Sequence, residues 1–342
     1  MTRTRPPADR PQHARPDRAP SFSPPKREAA PERRPAPRPR GPRKVEEAPG
    51  VLLETAGWSD YQLLDMGDGE KLERYGGLTV VRPEPQAMGP RRLSPKRWEG
   101  ADAVFTGDTD EEGPGRWRHG ERVPESWEMH YGDIAFLGRL TSFRHTGVFP
   151  EQTVHWEWAA ERIRERTKPK VLNLFGYTGL ASLTAALAGA EVTHVDASKK
   201  AVAWARENQA MSGLEALPIR WIIEDAMRFV EREVRRGSRY QGIVLDPPKF
   251  GRGTNGEIWD LFTDLPAMLG LCRELLAPDA RFLILTAYSI RASFMSIHEL
   301  VADVIGDLPG RLESGELIIR ESGGPTPGRG LSTSMFARWS AP

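Results

Sequence analysis

The chain has 342 residues, 48 Lys/Arg against 47 Asp/Glu, and one cysteine, Cys272. The length suits about two domains, and a lone cysteine excludes an intramolecular disulfide framework and any multi-cysteine zinc site. No run of about 18 apolar residues marks a membrane span, and the N-terminus lacks the apolar core of a secretory signal. These features predict a cytoplasmic protein that does not associate with membranes.

The near-neutral total hides an asymmetry. Residues 1–44 hold 13 Lys/Arg against 4 Asp/Glu, about +9, which leaves about −8 on the remainder. Residues 1–45 are rich in Pro, Arg and Ala, with few apolar side chains to offset ordering entropy, so the expectation is a disordered tail. About a dozen prolines prevent the amphipathic helix of a transit peptide. Such a tail either attracts nucleic acid through its phosphates or only solubilises the chain.

Residues 46–150 predict a smaller β-rich domain, a candidate for RNA contact. "YQLLDMGDGEKLERYG" places a Gly67-Asp68-Gly69 turn between two strand-like runs. "LTVVRP" is a strand stopped by Pro83, and "ESWEMHYGDIAFLGRLTSF" holds one or two more. Six of the ten tryptophans fall between residues 50 and 160 (Trp58, Trp98, Trp117, Trp127, Trp156 and Trp158), as core or as stacking platforms for bases. Arg91, Arg92, Lys96 and Arg97 either touch phosphates or form a solvated loop.

From residue 151 to 342 the pattern changes to alternating strands and helices. "EQTVHWEWAAERIRER" reads as a helix, "KVLNLFG" as a strand, "YTGLASLTAALAGA" as a helix and "EVTHVDAS" as a strand ending in Asp196. Then come the helix "KKAVAWARENQAMSG", the strand "IRWIIEDA" with Asp225, the helix "AMRFVEREVRRG" and the strand "YQGIVLDPP" with Asp246. The helix "EIWDLFTDLPAMLGLCRELL", the strand "ARFLILTAYS" and the helix "SFMSIHELVADVIGDL" follow. Strict β/α alternation implies an α/β fold, a Rossmann-like, doubly wound, mostly parallel sheet. Ligands bind such sheets outside the carboxyl ends of the strands.

Those ends carry the candidate site. Gly176 and Gly179 flank the first turn; glycines let the backbone turn tightly and approach a ligand, or let a helix pack closely. Asp196 follows Gly176 by 20 residues, the distance at which an acid meets ribose hydroxyls, although an N-cap role competes. Asp225 is placed for an exocyclic amine such as that of adenine, or again for a helix cap. In "VLDPPKFG" tandem prolines follow Asp246. Proline lacks an N–H and fixes φ, so the chain must leave the sheet there, held stiff. Three successive strands ending in Asp suit ribose hydroxyls, an adenine amine and a positive centre, and suit a pyrophosphate poorly.

"VLNLFGYTGL", "VTHVDAS", "IIEDA" and "IVLDPPKFG" resemble the sequential motifs of class I S-adenosylmethionine-dependent methyltransferases. Spacing and wording are most similar to the bacterial RlmI-type 23S ribosomal-RNA methyltransferases, which act on cytosine C5. "FRHTGVFPEQ" at 143–152 resembles the segment lying over the cofactor in that family, and "RGLSTSMFARW" its closing strand. The resemblance implies a seven-stranded sheet, S-adenosyl-L-methionine as cofactor and RNA as partner. It implies that Gly176, Tyr177, Thr178 and Gly179 line the methionine end. It puts Asp196 on the ribose, Asp225 and Ala226 by the adenine, and Asp246 near the transferred methyl, with Asn173, Phe175 and Ala197 also binding the cofactor.

Methyl transfer is an in-line displacement in which the enzyme mainly positions the nucleophile. A rigid Asp246-Pro247-Pro248 corner suits that, its carbonyls receiving hydrogen bonds from an amine or extruded base. Phe250 then stacks on the base, and Lys249 meets a phosphate or base oxygen. Asp246 and Lys249 are the catalytic candidates; Pro247, Pro248, Lys249 and Phe250 form the substrate side.

Cytosine C5 is a poor nucleophile and needs transient attack by a thiolate. Where C5 enzymes carry that cysteine, this chain reads "LTAYS". Cys272 has Met268, Leu269, Leu275 and Leu276 at helical i±3 and i±4 spacing, so it faces a core. A nitrogen acceptor, as in the related Asp/Asn-Pro-Pro-aromatic enzymes, needs no thiol, although Lys249 here separates the prolines from the aromatic ring. The alternatives are an inactive RNA-binding or ribosome-assembly scaffold and a nucleotide-dependent oxidoreductase. The seven histidines show no metal-ligand spacing.

Overall fold

The computed structural model describes residues 41–342 except 56, 108–114, 143, 289–291 and 325–326. The expectations for residues 1–40 and for Ser289 therefore lie outside the described residues. Residues 43–45 are tied down, so the ordered chain starts before the boundary set for the tail. The Lys44 N–H donates to the Gly306 carbonyl at 2.6 Å, Val45 is buried, and Arg43 pairs with Glu299 at 2.7 Å and Asp303 at 3.0 Å.

The elements run β1 (Glu46–Thr55), β2 (Tyr61–Gly67), β3 (Glu70–Tyr75), β4 (Leu78–Pro83), α1 (Pro95–Glu99), β5 (Ala103–Thr106), β6 (Arg116–His119), β7 (Trp127–Tyr131) and β8 (Ile134–Gly138). A short 3-10 turn, Pro150–Gln152, leads into α2 (Thr153–Arg164). Then follow β9 (Lys170–Leu174), α3 (Leu180–Leu187), β10 (Glu191–Asp196), α4 (Lys199–Met211), β11 (Ile219–Ile223), α5 (Ala226–Arg235) and β12 (Gly242–Leu245). The chain ends with β13 (Phe250–Arg252), β14 (Ile258–Asp260), α6 (Leu261–Leu275), β15 (Phe282–Ala287), α7 (Phe294–Ile305), β16 (Arg311–Arg320) and β17 (Gly330–Ser340).

The main sheet has the order β1-β16-β17-β15-β12-β9-β10-β11. The neighbours β11, β10, β9, β12 and β15 are all parallel; β17 is antiparallel to both β15 and β16. The expected seven strands are thus joined by an eighth. β1, placed by sequence in the β-rich N-terminal segment, instead pairs parallel to β16 along the sheet edge. The buried His298 of α7 ties this edge together: its Nδ1 lies 2.8 Å from Ser314 Oγ of β16 and its Nε2 2.9 Å from Glu47 Oε2 of β1. Apolar residues of α5, α6 and α7, among them Phe229, Leu265, Leu269 and Val301, cover one sheet face. Ala160 and Ile163 of α2 and Ala186 of α3 cover the other with Phe282. Cys272 is fully buried in the first of these cores, as its neighbours predict.

The helix expected from Glu257 begins four residues later. Asp260 accepts from the Thr263 N–H at 2.9 Å and caps α6, while "IWD" before it pairs as β14 with β13. Ahead of the main sheet, β2 to β6 form a five-stranded sheet and β7–β8 a hairpin. The β2–β3 turn sits at Asp68 and Gly69, both at positive φ (55° and 78°), the conformation that tight hairpins demand. Of the six clustered tryptophans, Trp98, Trp127 and Trp156 are buried, and Trp58, Trp117 and Trp158 pack partly buried against apolar clusters. Arg91 stacks on Trp98, 4.1 Å from its ring centre, and pairs with Glu70. No helix among the described residues is long and apolar enough to cross a membrane.

A buried ion pair fixes the five-stranded sheet. Arg82 donates two hydrogen bonds to Glu73, Nε to Oε2 at 2.7 Å and Nη2 to Oε1 at 2.8 Å, while the hydroxyls of Tyr61 and Tyr75 also donate to Oε1. Burial pushes the Glu73 carboxyl up, but Arg82, Lys71 and the hydrogen bonds outweigh it and hold the pKa at about 2. That group therefore contributes stability above the ordinary carboxylate value of 4.5, and the contribution is lost as pH falls toward about 2. Replacing Arg82 with Met strands a buried carboxylate, and chemical denaturation should show a loss of about 3–5 kcal/mol; an unchanged midpoint would contradict this.

Candidate functional site

The turn after β9 is strained. Phe175 and Tyr177 both hold positive φ, 58° and 49°, which costs about 1–3 kcal/mol at each non-glycine position. The turn is held from several sides. The Tyr177 N–H donates to Asp196 Oδ2 at 2.9 Å, the Gly176 N–H to the Val195 carbonyl at 3.1 Å, and Asn208 of α4 donates to the Thr178 carbonyl at 2.9 Å. The result turns the faces of Phe175 and Tyr177 into a cavity of about 570 Å³.

Four residues expected at the cofactor do not line that cavity, and each has another task. Asn173 donates to Ser182 Oγ at 2.9 Å beneath the turn. The Thr178 hydroxyl donates to the Gly147 carbonyl at 2.7 Å. A Cβ on Gly176 would lie 2.4 Å from the His194 ring, and one on Gly179, at φ 84°, would lie 2.8 Å from Ala205 Cβ. These glycines permit close packing, the competing reading of the Gly-x-x-Gly pattern.

The three strand-end acids all reach the cavity, with Ala197 and Ala226 beside them. Asp196 is not the cap of α4. That role belongs to Ser198, whose side chain accepts from the Ala201 N–H at 3.2 Å. Asp196 takes one backbone N–H on each oxygen, from Tyr177 on Oδ2 and from Ser198 on Oδ1 at 2.8 Å. Burial raises its pKa, and the two N–H donors oppose that. Asp225 does cap α5, its Oδ1 accepting from the Arg228 N–H at 2.9 Å.

Asp246 follows β12 directly. Its Oδ1 is shut off from solvent and has no hydrogen-bond partner. Burial first, then the neighbouring Glu151 carboxyl, push the Asp246 pKa well above the usual range, while Gln152 opposes the shift. Pro247, Pro248, Lys249 and Phe250 continue the cavity wall. At this corner the Pro248 carbonyl accepts the Trp259 Nε1–H at 2.7 Å, which occupies one of its two lone pairs. Trp259 also packs on Phe175, with ring centres 5.0 Å apart.

Lys71, Glu73 and Arg82 of the five-stranded sheet, with Glu84 just after it, line the cavity without any sequence signal, whereas Arg144, His145, Phe149 and Glu151 belong to the 143–152 segment expected over the cofactor. Phe149 sits between Tyr177 and Tyr288, with ring centres 5.7 and 5.2 Å away. Tyr288 stands in "LTAYS", where a C5 enzyme has its thiol, and its hydroxyl accepts from Gln152 Nε2 at 2.8 Å. Burial pushes the Tyr288 phenol and the Glu151 carboxyl up and drives the His145 imidazole down to about 3, so that ring is neutral at ordinary pH.

Residues 99–299 match the family model described as S-adenosylmethionine-dependent methyltransferase, more than half of the chain. A crystal structure of a SAM-dependent methyltransferase from Agrobacterium tumefaciens is 56% identical, covering 89% of this chain and 97% of that one, with a TM-score of 0.85. A methyltransferase structure in complex with S-adenosylhomocysteine shares the fold at 17% identity, with a TM-score of 0.63 over 82% of this chain and 75% of that one. Among curated relatives, a ribosomal RNA large subunit methyltransferase K/L from Shewanella frigidimarina is 33% identical over 165 residues, 48% of this chain and 22% of that protein. The protein of the same name from Pseudoalteromonas atlantica is 29% identical over 228 residues, 62% of this chain and 32% of that protein. The chain thus spans about a fifth to a third of the length of these curated relatives. A strained glycine turn, three strand-end acids around one cavity and the matching family model converge: the chain belongs to the S-adenosylmethionine-dependent methyltransferases and uses S-adenosylmethionine as its cofactor.

Proposed function

We propose that the chain methylates a nitrogen of a base in ribosomal RNA. The observation that carries this reading is the Asp246-Pro247-Pro248 corner, with its partnerless Oδ1, in a cavity wall where Tyr288 stands and no thiol does. The names of the K/L relatives supply the RNA class, and residues 151–342 form the methyltransferase domain after a β-rich domain of residues 46–150.

The cavity's donor set fits the cofactor. A carboxylate has about four lone-pair sites, and Asp196 spends two on backbone N–H groups, leaving capacity for two ribose hydroxyls. Asp225 and Ala226 take the adenine edge, Ala197 lies against the ribose, and Phe175 and Tyr177 flank the methionine end. Asn173, Gly176, Thr178 and Gly179 support this arrangement from outside the cavity. When bound, S-adenosylmethionine supplies a methyl group on a sulfonium. The Asp246 carboxylate would accept from the acceptor's N–H, orient the nitrogen lone pair toward the bound cofactor's sulfonium methyl, and take the nitrogen's proton. Lys249 meets a phosphate or base oxygen. Pro247 and Pro248 hold the corner stiff, so little of the alignment is lost to backbone motion.

Three measurements test these roles. Asp196→Ala should weaken S-adenosylmethionine binding by about 10- to 100-fold in isothermal titration, the range for lost hydrogen bonds to a charged group; unchanged affinity would remove Asp196 from the cofactor site. The accepting form of Asp246 is the ionised one, and its pKa is raised, so transfer should fall as pH drops through a value above the ordinary carboxylate range. Since the Glu151 charge contributes to that rise, Glu151→Gln should move the acid limb to lower pH; a limb that stays put contradicts the coupling. Burial pushes the Cys272 thiol up and keeps it protonated, so Cys272→Ala should retain methyl transfer and RNA containing 5-fluorocytidine should not be trapped covalently. A stable adduct lost in Cys272→Ala would restore the thiol mechanism.

A further inference from the structure

Between the Asp-Pro-Pro corner and α6, β13 and β14 form a hairpin pairing Phe250 with Asp260, Gly251 with Trp259 and Arg252 with Ile258. Alternation puts Gly251 and Trp259 on one face and Phe250, Arg252 and Ile258 on the other. The first face is anchored. Trp259 is buried against Phe175 and bonded to the Pro248 carbonyl. The second is open: Phe250 is 53% exposed, Ile258 76% exposed, and Arg252 exposed. Large apolar side chains gathered on one exposed face mark an interaction surface more often than chance. The hairpin is also the edge of the cavity, since Phe250, Gly251 and Arg252 all line it.

The local charges select the occupant. Glu257 is paired with Arg228 at 2.7 Å, and Asp260 and Asp264 accept backbone N–H groups at the start of α6. Arg252 has no hydrogen bond or ion pair among the described residues. Lys249 Nζ lies 5.1 Å from the Phe250 ring centre. An exposed ring flanked by two cations, with the nearby carboxylates engaged, complements the bases and phosphates of a polynucleotide.

We propose that the open face of the β13–β14 hairpin binds the single-stranded RNA flanking the acceptor nucleotide, with Phe250 and Ile258 packed on base faces and Arg252 on a phosphate. This assigns Phe250 to a neighbouring base rather than to the acceptor, and it rests on RNA being the substrate. Stacking on base faces is tolerant of sequence, so the platform supplies grip and leaves selection of the target to the cavity.

The test uses the full chain and a fluorescein-labelled, mixed-sequence 12-nucleotide RNA, followed by anisotropy over a range of salt concentrations. Phe250→Ala should weaken binding by about 10-fold. Arg252→Ala should reduce the salt slope by about one unit. Ile258→Ser should weaken binding by a few-fold. These side chains are exposed, so thermal melts should match wild type, and S-adenosylmethionine affinity should be unchanged in Ile258→Ser, whose side chain does not line the cavity. If wild type moves labelled methyl into ribosomal RNA but all three variants bind RNA as wild type does, the hairpin inference is wrong and the RNA reading survives. If wild type binds S-adenosylmethionine but neither binds nor methylates RNA, both fail. If methyl instead enters ribosomal protein, and Ile258→Ser reduces it, the face holds a polypeptide and the RNA platform is overturned.

Discussion

β12 stops at Leu245 because Pro247 and Pro248 offer no N–H to the ladder, and that stop delivers the Asp246 carboxyl into the cavity. Much of the site follows from this constraint. The carboxyl arrives with one oxygen sealed and partnerless, which costs free energy that the isolated protein does not recover. A stiff corner keeps it there. The Trp259 bond to the Pro248 carbonyl then ties the corner to the β13–β14 hairpin, so the acceptor seat and the cavity edge form one mechanical unit.

The five-stranded sheet also lines the cavity: Lys71 and Arg82 bring positive charge to a lining that includes Asp196, Asp225, Asp246 and Glu151. Both cations are already held by carboxylates, Lys71 by Glu84 at 3.1 Å and Arg82 by Glu73. They therefore tune the field on Glu151, where Lys71 and Arg82 oppose the rise caused by burial. The small sheet thus sets the electrostatics of the cavity as well as enclosing it.

The parallel part of the fold was legible because its strands are short apolar runs alternating with helices, and three of them, β10, β11 and β12, lead into Asp. β1 was not. Its exposure pattern is mixed, and its place follows only from pairing with β16, more than 250 residues away in sequence. The β13–β14 hairpin has three residues per strand, too few to show a period, and its second strand merges into the pattern of α6. Within the site, chain order gave the acids because strand ends locate them. Gly176 and Gly179 were read for ligand approach or for close packing, and their missing side chains make room for His194 and Ala205. Glu151 and Tyr288 lie in stretches the motifs flagged, but their altered acidity does not show in sequence: burial raises both, and the Asp246 and Glu151 charges add to it at Tyr288.

The central claim is transfer to a base nitrogen from a site that has no thiol. Its most direct test is mass spectrometry of nucleosides from ribosomal RNA incubated with the purified chain and isotopically labelled S-adenosylmethionine. The account predicts the label in a nucleoside methylated on a base nitrogen. Label recovered as 5-methylcytidine would contradict it.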